Sequence, residues 1–300
     1  MPVNRKHLRS GQRKQITLFV CAMLFALASN IVCASALVEA PTPLLFGENK
    51  NERGEQLPIP QLIKQLLMQV ESDTGMHFSI KNYPWPRAIN MARNEGKLIF
   101  GLSLTSEREK LFSFSEPLYY NNIWIVTRSD QTFPFKSLED LKGKTIGILR
   151  GASYGDDFDR AQNKLFKIEE DIGVYSVRLK KLNNKRMDAI LFASPDSRAA
   201  HVQMRINQIL RLEAELNAQE VPSFSVLPTP LLKDGLRFAI RRDQNSELLQ
   251  RIDKAIAKGK TTGSFNKILQ TYTIDWAQIE KFFAIDVPSN YIFFKRLMEV

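Results

Sequence analysis

Cysteine and histidine are scarce in this 300-residue chain, which contains two cysteines and three histidines. Both cysteines, Cys21 and Cys33, fall within the first 36 residues, so the remainder has no disulfide, no thiolate nucleophile and no cysteine-based metal site. Beyond that segment, neither His77 nor His201 has a serine, aspartate or metal-ligand partner at a recognisable spacing. The sequence therefore gives little support to an enzyme, and we expect neither a metal nor an organic cofactor.

Long apolar runs are also scarce, and the one near the start has the features of a secretory signal. Five basic residues come first, and the apolar residues 16–28 follow them. Ala34-Ser35-Ala36 then supplies the small-residue pattern of a cleavage site. We expect residues 1–36 to be a signal peptide that is removed before Leu37. An uncleaved membrane anchor is the alternative.

Charge of one sign is only mildly in excess once this leader is set aside. The whole chain has a formal net charge of +10, from 42 basic and 32 acidic residues, and the leader holds five basic and no acidic ones, which leaves +5 for residues 37–300. No basic run alternates with aromatic residues, so nucleic acid is not expected as a partner. No second apolar segment is long enough to span a bilayer, which argues against a channel or permease.

Along the rest of the chain, segments with the apolar pattern of strands alternate with segments that have the apolar pattern of helices. Residues 98–102 and 145–149 are short apolar runs typical of buried strands, and residues 175–179 are predicted to be a further strand. Apolar residues within 59–70 fall on one face of a predicted helix. Alternation of this kind predicts an α/β protein with largely parallel sheets.

The first candidate site is residues 103–108, which follow the apolar run 98–102. Ser103 and Thr105 stand where a strand ends and a helix begins, and Arg108 comes directly after. The unpaired N–H groups and the dipole of a helix start favour an anion, and a guanidinium can hold a carboxylate with two parallel hydrogen bonds. A capped helix with a surface arginine is the alternative, and the local pattern favours it because hydroxyl residues are common caps.

A second candidate wall lies in residues 149–155, where a strand again runs into glycines, a hydroxyl residue and a helix. Gly151 and Gly155 allow the backbone to approach a ligand closely, and Ser153 stands between them. The acid that follows, Asp156, either matches the helix dipole or faces a cationic group of a ligand. An ordinary strand-to-helix turn is the alternative.

Trp85, flanked by Pro84 and Pro86, is an aromatic side chain on a stiff segment ahead of a predicted helix. Its ring could stack on a ligand or pack in the core. Because tryptophan side chains are mostly buried in proteins, packing in the core is the favoured alternative.

Four groups of segments follow one another in a distinctive order. They are Trp85-Pro86-Arg87-Ala88-Ile89 with Gly96-Lys97; Thr105-Ser106-Glu107-Arg108 followed by Phe112-Ser113-Phe114-Ser115-Glu116-Pro117; Ser137-Leu138-Glu139-Asp140-Leu141-Lys142-Gly143 with Gly151-Ala152-Ser153-Tyr154-Gly155; and residues 236–240 with Gly263-Ser264-Phe265. In this order they resemble the family 3 bacterial extracellular solute-binding proteins, the periplasmic receptors of polar amino-acid ABC transporters. The resemblance spans nearly all of residues 41–280.

The resemblance implies a two-lobed α/β fold of the type II periplasmic-binding-protein kind, with the ligand cleft between lobes joined by two crossover strands. The crossovers would lie near residues 123–129 and 234–240. Lobe 1 would comprise residues 41–127 plus 237–300, and lobe 2 residues 128–236. Closure of the lobes over the ligand would be a hinge motion.

The resemblance also implies a set of ligand-binding residues. By position, Arg108 would bind a ligand carboxylate, helped by Ser103 and Thr105. Ser153 would contact the ligand from the second lobe, and Trp85 would line the cleft. No catalytic or metal-binding residue is implied.

One departure from the family pattern bears on the ligand. Amino-acid receptors of this family usually have an aspartate directly after the strand at residues 188–192, and it pairs with the ligand's α-ammonium group. Here Ala193 and Ser194 follow the strand, and Asp196 comes later. Because an uncompensated ammonium group is costly in a closed cleft, a carboxylate or polar solute other than a standard α-amino acid stays open.

The sequence therefore predicts a periplasmic solute-binding protein that captures a small polar, carboxylate-bearing solute, an amino acid or a related compound, for ABC-type uptake. We expect a monomer whose partners are a small-molecule ligand and an ABC permease. A sensory module that reports to a membrane sensor is the alternative. A dehydratase-like enzyme on the same fold is a further alternative, which would use Glu107, Arg108 and Asp156.

Overall fold

The computed structural model describes residues 40–48, 50, 55–171, 175–217, 222–244 and 246–272. The expected signal peptide, residues 1–36, lies outside the described residues, as does the part of the expected first lobe beyond residue 272. Within these ranges no helix combines the length and the apolar character needed to cross a bilayer.

The described residues form strands and helices that alternate along most of the chain. The strands are β1 (Thr42–Gly47), β2 (Phe78–Tyr83), β3 (Leu98–Phe100), β4 (Phe112–Phe114), β5 (Tyr119–Arg128), β6 (Thr145–Leu149), β7 (Lys167–Asp171), β8 (Ala189–Ser194), β9 (Phe224–Val226), β10 (Leu232–Leu236) and β11 (Phe238–Arg241). The helices are α1 (Gln61–Thr74), α2 (Trp85–Glu95), α3 (Ser106–Leu111), α4 (Asp156–Ala161), α5 (Tyr175–Asn183), α6 (Ala199–Asn217), α7 (Ser246–Thr262) and α8 (Ser264–Tyr272). The prediction of an α/β protein is confirmed. The expectation of largely parallel sheets is wrong, because among the described strands four pairings are parallel and five are antiparallel.

The first sheet has the strand order β2-β1-β3-β11-β4 and helices on both faces. β1 pairs in parallel with β2 and β3, and β11 pairs antiparallel with β3 and β4. Because side chains alternate along a strand, Leu44 and Phe46 pack with α1, α7 and α8, whereas Leu45 packs with α2 on the other face. Burial on both faces accounts for the continuous apolar run of β1.

The second sheet has the order β10-β5-β8-β6-β7, and β9 also pairs with β5. β6 is parallel to β7 and β8, while β5 is antiparallel to its three neighbours. Ile123 and Ile125 pack on the face covered by α4, and Trp124 and Val126 pack on the face covered by α5 and α6. Each sheet therefore has a core on both of its faces.

Two adjacent crossings join the sheets. The chain enters β5 through residues 115–118, and it returns between β10 and β11. Ser115 N donates to Phe238 O at 2.9 Å, and Phe238 N donates to Ser115 Oγ at 3.0 Å. The first crossing precedes the expected position, residues 123–129, because residues 119–128 bond to β8 and β10 within the second sheet. The expected boundaries of the two lobes, residues 41–127 plus 237–300 and residues 128–236, stay a proposal.

The strand predicted over residues 175–179 is wrong, because this segment forms the first turns of α5. Leu179 and Leu182 are both buried, and their spacing places them on one helical face. The strand in this part of the chain is instead β7, whose charged sequence suits the edge of a sheet.

Candidate functional site

Two loops from different sheets meet in the structure. One leads from β3 into α3, and the other leads from β6 into α4. Arg108 Nη2 donates to Gly151 O at 3.1 Å, and Ser106 N lies 3.2 Å from both carboxylate oxygens of Asp156. A third segment also approaches, since a Cβ atom added to Gly151 would lie 3.1 Å from Pro86 Cγ. The structure thus brings together the two segments in which the sequence predicted walls of a ligand site.

Arg108 reaches this junction because α3 begins just before it. Thr105 caps the helix in an extended conformation, and its Oγ1 accepts a hydrogen bond from Arg108 N at 3.3 Å. The guanidinium folds back over the loop, where Nη1 donates to Ser103 O at 3.1 Å. Within the described residues, Ser103 O and Gly151 O accept hydrogen bonds from two of the five guanidinium N–H groups. Three N–H groups are left to donate to a ligand.

The positive charge of Arg108 lies in a partly buried place. Burial lowers the pKa of the guanidinium, and the negative charges of Asp159 and Asp234 oppose that shift. A guanidinium nevertheless stays protonated in proteins. A carboxylate that reached Arg108 would therefore meet a full positive charge in surroundings poor in water, where the attraction is stronger than in bulk solvent.

Ser153 is occupied in holding the second loop. Its hydroxyl donates to Asp159 Oδ2, and Tyr154 N donates to Asp159 Oδ1 at 3.1 Å. Burial also raises the pKa of the Tyr154 phenol to about 12, so that this side chain is neutral. The ligand contact predicted for Ser153 stays a prediction.

Trp85 is the first residue of α2 and has a packing role. A Cβ atom added to Gly47 would lie 3.0 Å from Trp85 Cε3, so the absence of a side chain at Gly47 makes room for the indole ring. The ring also packs against the cluster that contains Leu45 and Ala88. The side chain is only partly buried, and the prediction that it lines the cleft stays open to test.

Asp234 is a polar residue of this region that the sequence did not reveal. It lies opposite Asn121 in the pairing of β10 with β5, and its Oδ2 accepts from Ser103 Oγ at 2.8 Å. Burial raises the pKa of the Asp234 carboxyl, an effect opposed by the bond from Ser103 and by the charges of Arg237 and Arg108. Only long-range strand pairing places this side chain beside Ser103, and no local motif signals it.

The position expected to hold an ammonium-binding aspartate has a different environment. Ala193 N donates to Tyr175 Oη at 3.0 Å, and the ring centroids of Tyr175 and Phe192 are 4.2 Å apart. Asp196 is engaged elsewhere, since Arg198 Nε and Nη2 donate to its two carboxylate oxygens at 3.0 and 3.1 Å.

An open cleft of about 670 Å³ adjoins one end of this region. Its lining includes Ser103, Asp156 and Asp234, and does not include Arg108 or Ser153. The charged residues that face the cleft are of both signs, which suits a solute that itself carries both.

The two acidic residues that a dehydratase-like enzyme would use, Glu107 and Asp156, have hydrogen-bond partners in the structure. Glu107 Oε1 accepts from Lys110 Nζ at 2.5 Å, and Asp156 accepts from Ser106. Over the described ranges, no group of three or more His, Cys, Asp or Glu side chains is arranged to hold a metal ion.

Replacing Asp156 with alanine should loosen the junction of the two loops. Its carboxylate accepts from Ser106 N at 3.2 Å and from Ser106 Oγ at 2.5 Å, and these bonds hold the pKa of Asp156 below its ordinary value. The carboxylate is therefore ionised at neutral pH, and the contact is lost only as the pH falls through that lowered pKa. We expect ligand-free D156A to have a larger radius of gyration than the wild type at pH 7, as measured by small-angle X-ray scattering.

Asp157→Ala is the matched control for this experiment. Asp157 pairs with Arg160 within α4, so its removal leaves the bonds between the loops in place. Equal radii for D156A and the wild type, or the same expansion in D157A, would contradict the assignment of this contact.

Known proteins resemble this chain in sequence and in fold. The family model for bacterial extracellular solute-binding proteins, family 3, matches residues 63–275. The ABC transporter arginine-binding protein 1 of Escherichia coli K12 is 27% identical over 176 residues, which are 59% of this chain and 65% of that protein. The chain thus spans less than two thirds of the length of the curated relatives that it matches first.

Solved structures show the same architecture. An ancestral arginine-binding protein bound to arginine aligns with a TM-score of 0.56 at 21% identity, over 78% of this chain and 98% of that one. A histidine kinase sensor domain with similarity to periplasmic binding proteins aligns with a TM-score of 0.57 at 17% identity, over 77% and 95%. At such identities the likeness concerns the fold alone, and it confirms the expected two-lobed α/β architecture. Because the family model covers most of the chain and both loops of the site, the chain belongs to the bacterial extracellular solute-binding proteins, family 3.

Proposed function

We propose that this protein is a periplasmic receptor that captures an α-amino acid or a related carboxylate solute and delivers it to an ABC permease. Membership of the family supports a solute-binding role, and the Escherichia coli relative is named as an arginine-binding protein of an ABC transporter. The observation that carries the proposal is Arg108, whose guanidinium lies at the junction of two loops with donors left over.

In this proposal the ligand carboxylate binds the remaining guanidinium donors of Arg108. A carboxylate and a guanidinium can form two parallel hydrogen bonds, which fix the orientation of the ligand as well as its position. Thr105 Oγ1 accepts the bond from Arg108 N, so the hydroxyl proton of Thr105 is available to the same carboxylate. Ser103 lies on the same loop as Thr105, and Ser153 lies on the facing loop. Both serines belong to the proposed site together with Arg108 and Thr105.

Entry of the ligand would require the two loops to separate. In the described conformation Arg108 is bonded to Ser103 and to Gly151, and it lies outside the lining of the open cleft. A hinge at the paired crossings would allow the sheets to part and to close again over the solute. Closure would remove water from around the guanidinium and so strengthen its bond to the carboxylate.

A thermal-stability screen over amino acids and organic acids tests the proposed function. A ligand at 100 times its Kd adds about 2.7 kcal/mol to the free energy of unfolding. For a chain of this size, that stabilisation should raise Tm by about 5–10 °C. We expect at least one carboxylate-bearing compound to give such a shift, and isothermal titration should confirm its affinity.

The methyl ester of each stabilising compound is the matched control, since it keeps the carbon skeleton and loses the negative charge. The proposed function predicts that the ester gives no shift. A panel in which neutral solutes stabilise the protein and carboxylates do not would contradict it.

A further inference from the structure

Asp234 faces the cleft from the crossing region, on the strand that leads back to the first sheet. Its carboxylate lines the open cleft and accepts one hydrogen bond from a side chain, that of Ser103 Oγ at 2.8 Å. Arg237, although close enough to influence it, donates from Nη1 to Gly235 O at 2.8 Å. Asp234 is therefore a partly buried negative charge that a ligand in the cleft can approach.

Ser103 contacts both this negative charge and the positive charge of the site. Its hydroxyl binds Asp234, while its carbonyl oxygen binds Arg108. The two charges thus contact different atoms of a single residue, and each influences the other electrostatically. The ammonium and carboxylate groups of an α-amino acid are separated by one carbon atom, so such a ligand also presents its two charges side by side.

Three other acids of the region already have partners of their own. Asp159 accepts from Ser153 and Tyr154, and Asp156 accepts from Ser106. Asp196 lies beyond β8 and accepts from the guanidinium of Arg198. An ammonium group buried between the loops needs a carboxylate, because an unpaired charge is costly there.

We propose that Asp234 binds the α-ammonium group of an amino-acid ligand while Arg108 binds its carboxylate. This inference rests on the proposed function and deepens it, since it restricts the ligand to compounds that carry both groups. A carboxylic acid without the ammonium group would leave Asp234 desolvated and unpaired, and would bind more weakly.

The test uses the twenty standard L-α-amino acids and, for each, the acid that lacks the 2-amino group. Isothermal titration of the wild-type protein should show tighter binding of an amino acid than of its deaminated acid. In D234N, which keeps the shape of the side chain and removes its charge, we expect the affinity for that amino acid to fall about 30-fold or more. The affinity for the deaminated acid should change little, about threefold or less.

Asp130→Asn is the matched control, because Asp130 pairs with Arg128 on the protein surface, lies outside the lining of the cleft and should leave both affinities unchanged. If the wild type binds an amino acid and its deaminated acid equally, or D234N binds both as the wild type does, Asp234 is not the ammonium site and the proposed function stands. If no compound of either series binds the wild type, both proposals are overturned. The comparison in the wild type needs no variant, so equal affinities there would overturn the assignment of Asp234 even if D234N fails to fold.

Discussion

Arg108→Ala should weaken the binding of a carboxylate ligand by about 100-fold or more. The guanidinium is the positive charge at which the two loops meet, through its bonds to Ser103 O and Gly151 O. In the closed state proposed above, its removal leaves the ligand carboxylate without its partner where water is excluded, and such losses are large. The measurement is isothermal titration with the compound that stabilises the wild type most.

Two further variants separate charge from geometry. Arg108→Lys keeps a positive charge and loses the forked donors, so we expect an intermediate loss of about tenfold. Arg93→Ala removes an exposed arginine of α2 that donates to Asn90 and Asn94, and it should leave the affinity unchanged. Wild-type affinity in R108A would refute the site.

Phe238→Ala should lower the free energy of unfolding by about 3–5 kcal/mol. Phe238 is fully buried at the start of β11, with its ring centroid 4.8 Å from that of Phe100 and 5.7 Å from that of Phe78. Truncation removes these contacts and leaves a cavity that a sheet held between helices cannot readily fill. We expect Tm to fall by about 10 °C, which circular dichroism during heating would measure.

Met68→Ala on α1 is the control for this substitution. Met68 is 55% exposed, and its truncation should change stability by no more than about 0.5 kcal/mol. Similar melting temperatures for F238A and M68A would show that the first sheet does not have the core described above.

The loop and helix at residues 103–111 show how much local sequence can predict. The apolar run before them and the hydroxyl cap at Thr105 correctly placed the end of a strand and the start of a helix. The same pattern could not show whether Arg108 lies on the surface or at the junction of the two loops, because this depends on its hydrogen bond to Gly151 O. That contact joins residues 43 positions apart, and only the resemblance of the ordered segments to a family suggested that the two loops meet.

Long-range pairing accounts for what the sequence did not predict. Tyr175 and Val177 are residue types common in strands, yet their segment is helical because Leu179 and Leu182 are buried together on one face of α5. Asp234 lies in a short strand with no motif, and it reaches Ser103 because β11, which follows directly, pairs with β3 and Gly101 N donates to Arg237 O at 2.9 Å. The first crossover, expected near residues 123–129, lies earlier in the chain because residues 119–128 pair with β8, β9 and β10 within the second sheet.

The most direct test of the proposed site is a crystal structure of the protein with its ligand bound. The account predicts the ligand carboxylate between the loop after β3 and the loop after β6, with its oxygens about 2.7–2.9 Å from the Arg108 guanidinium. It also predicts the Asp234 carboxylate beside the ligand's ammonium group. A ligand bound elsewhere, with Arg108 bonded only to Ser103 and Gly151, would contradict the account.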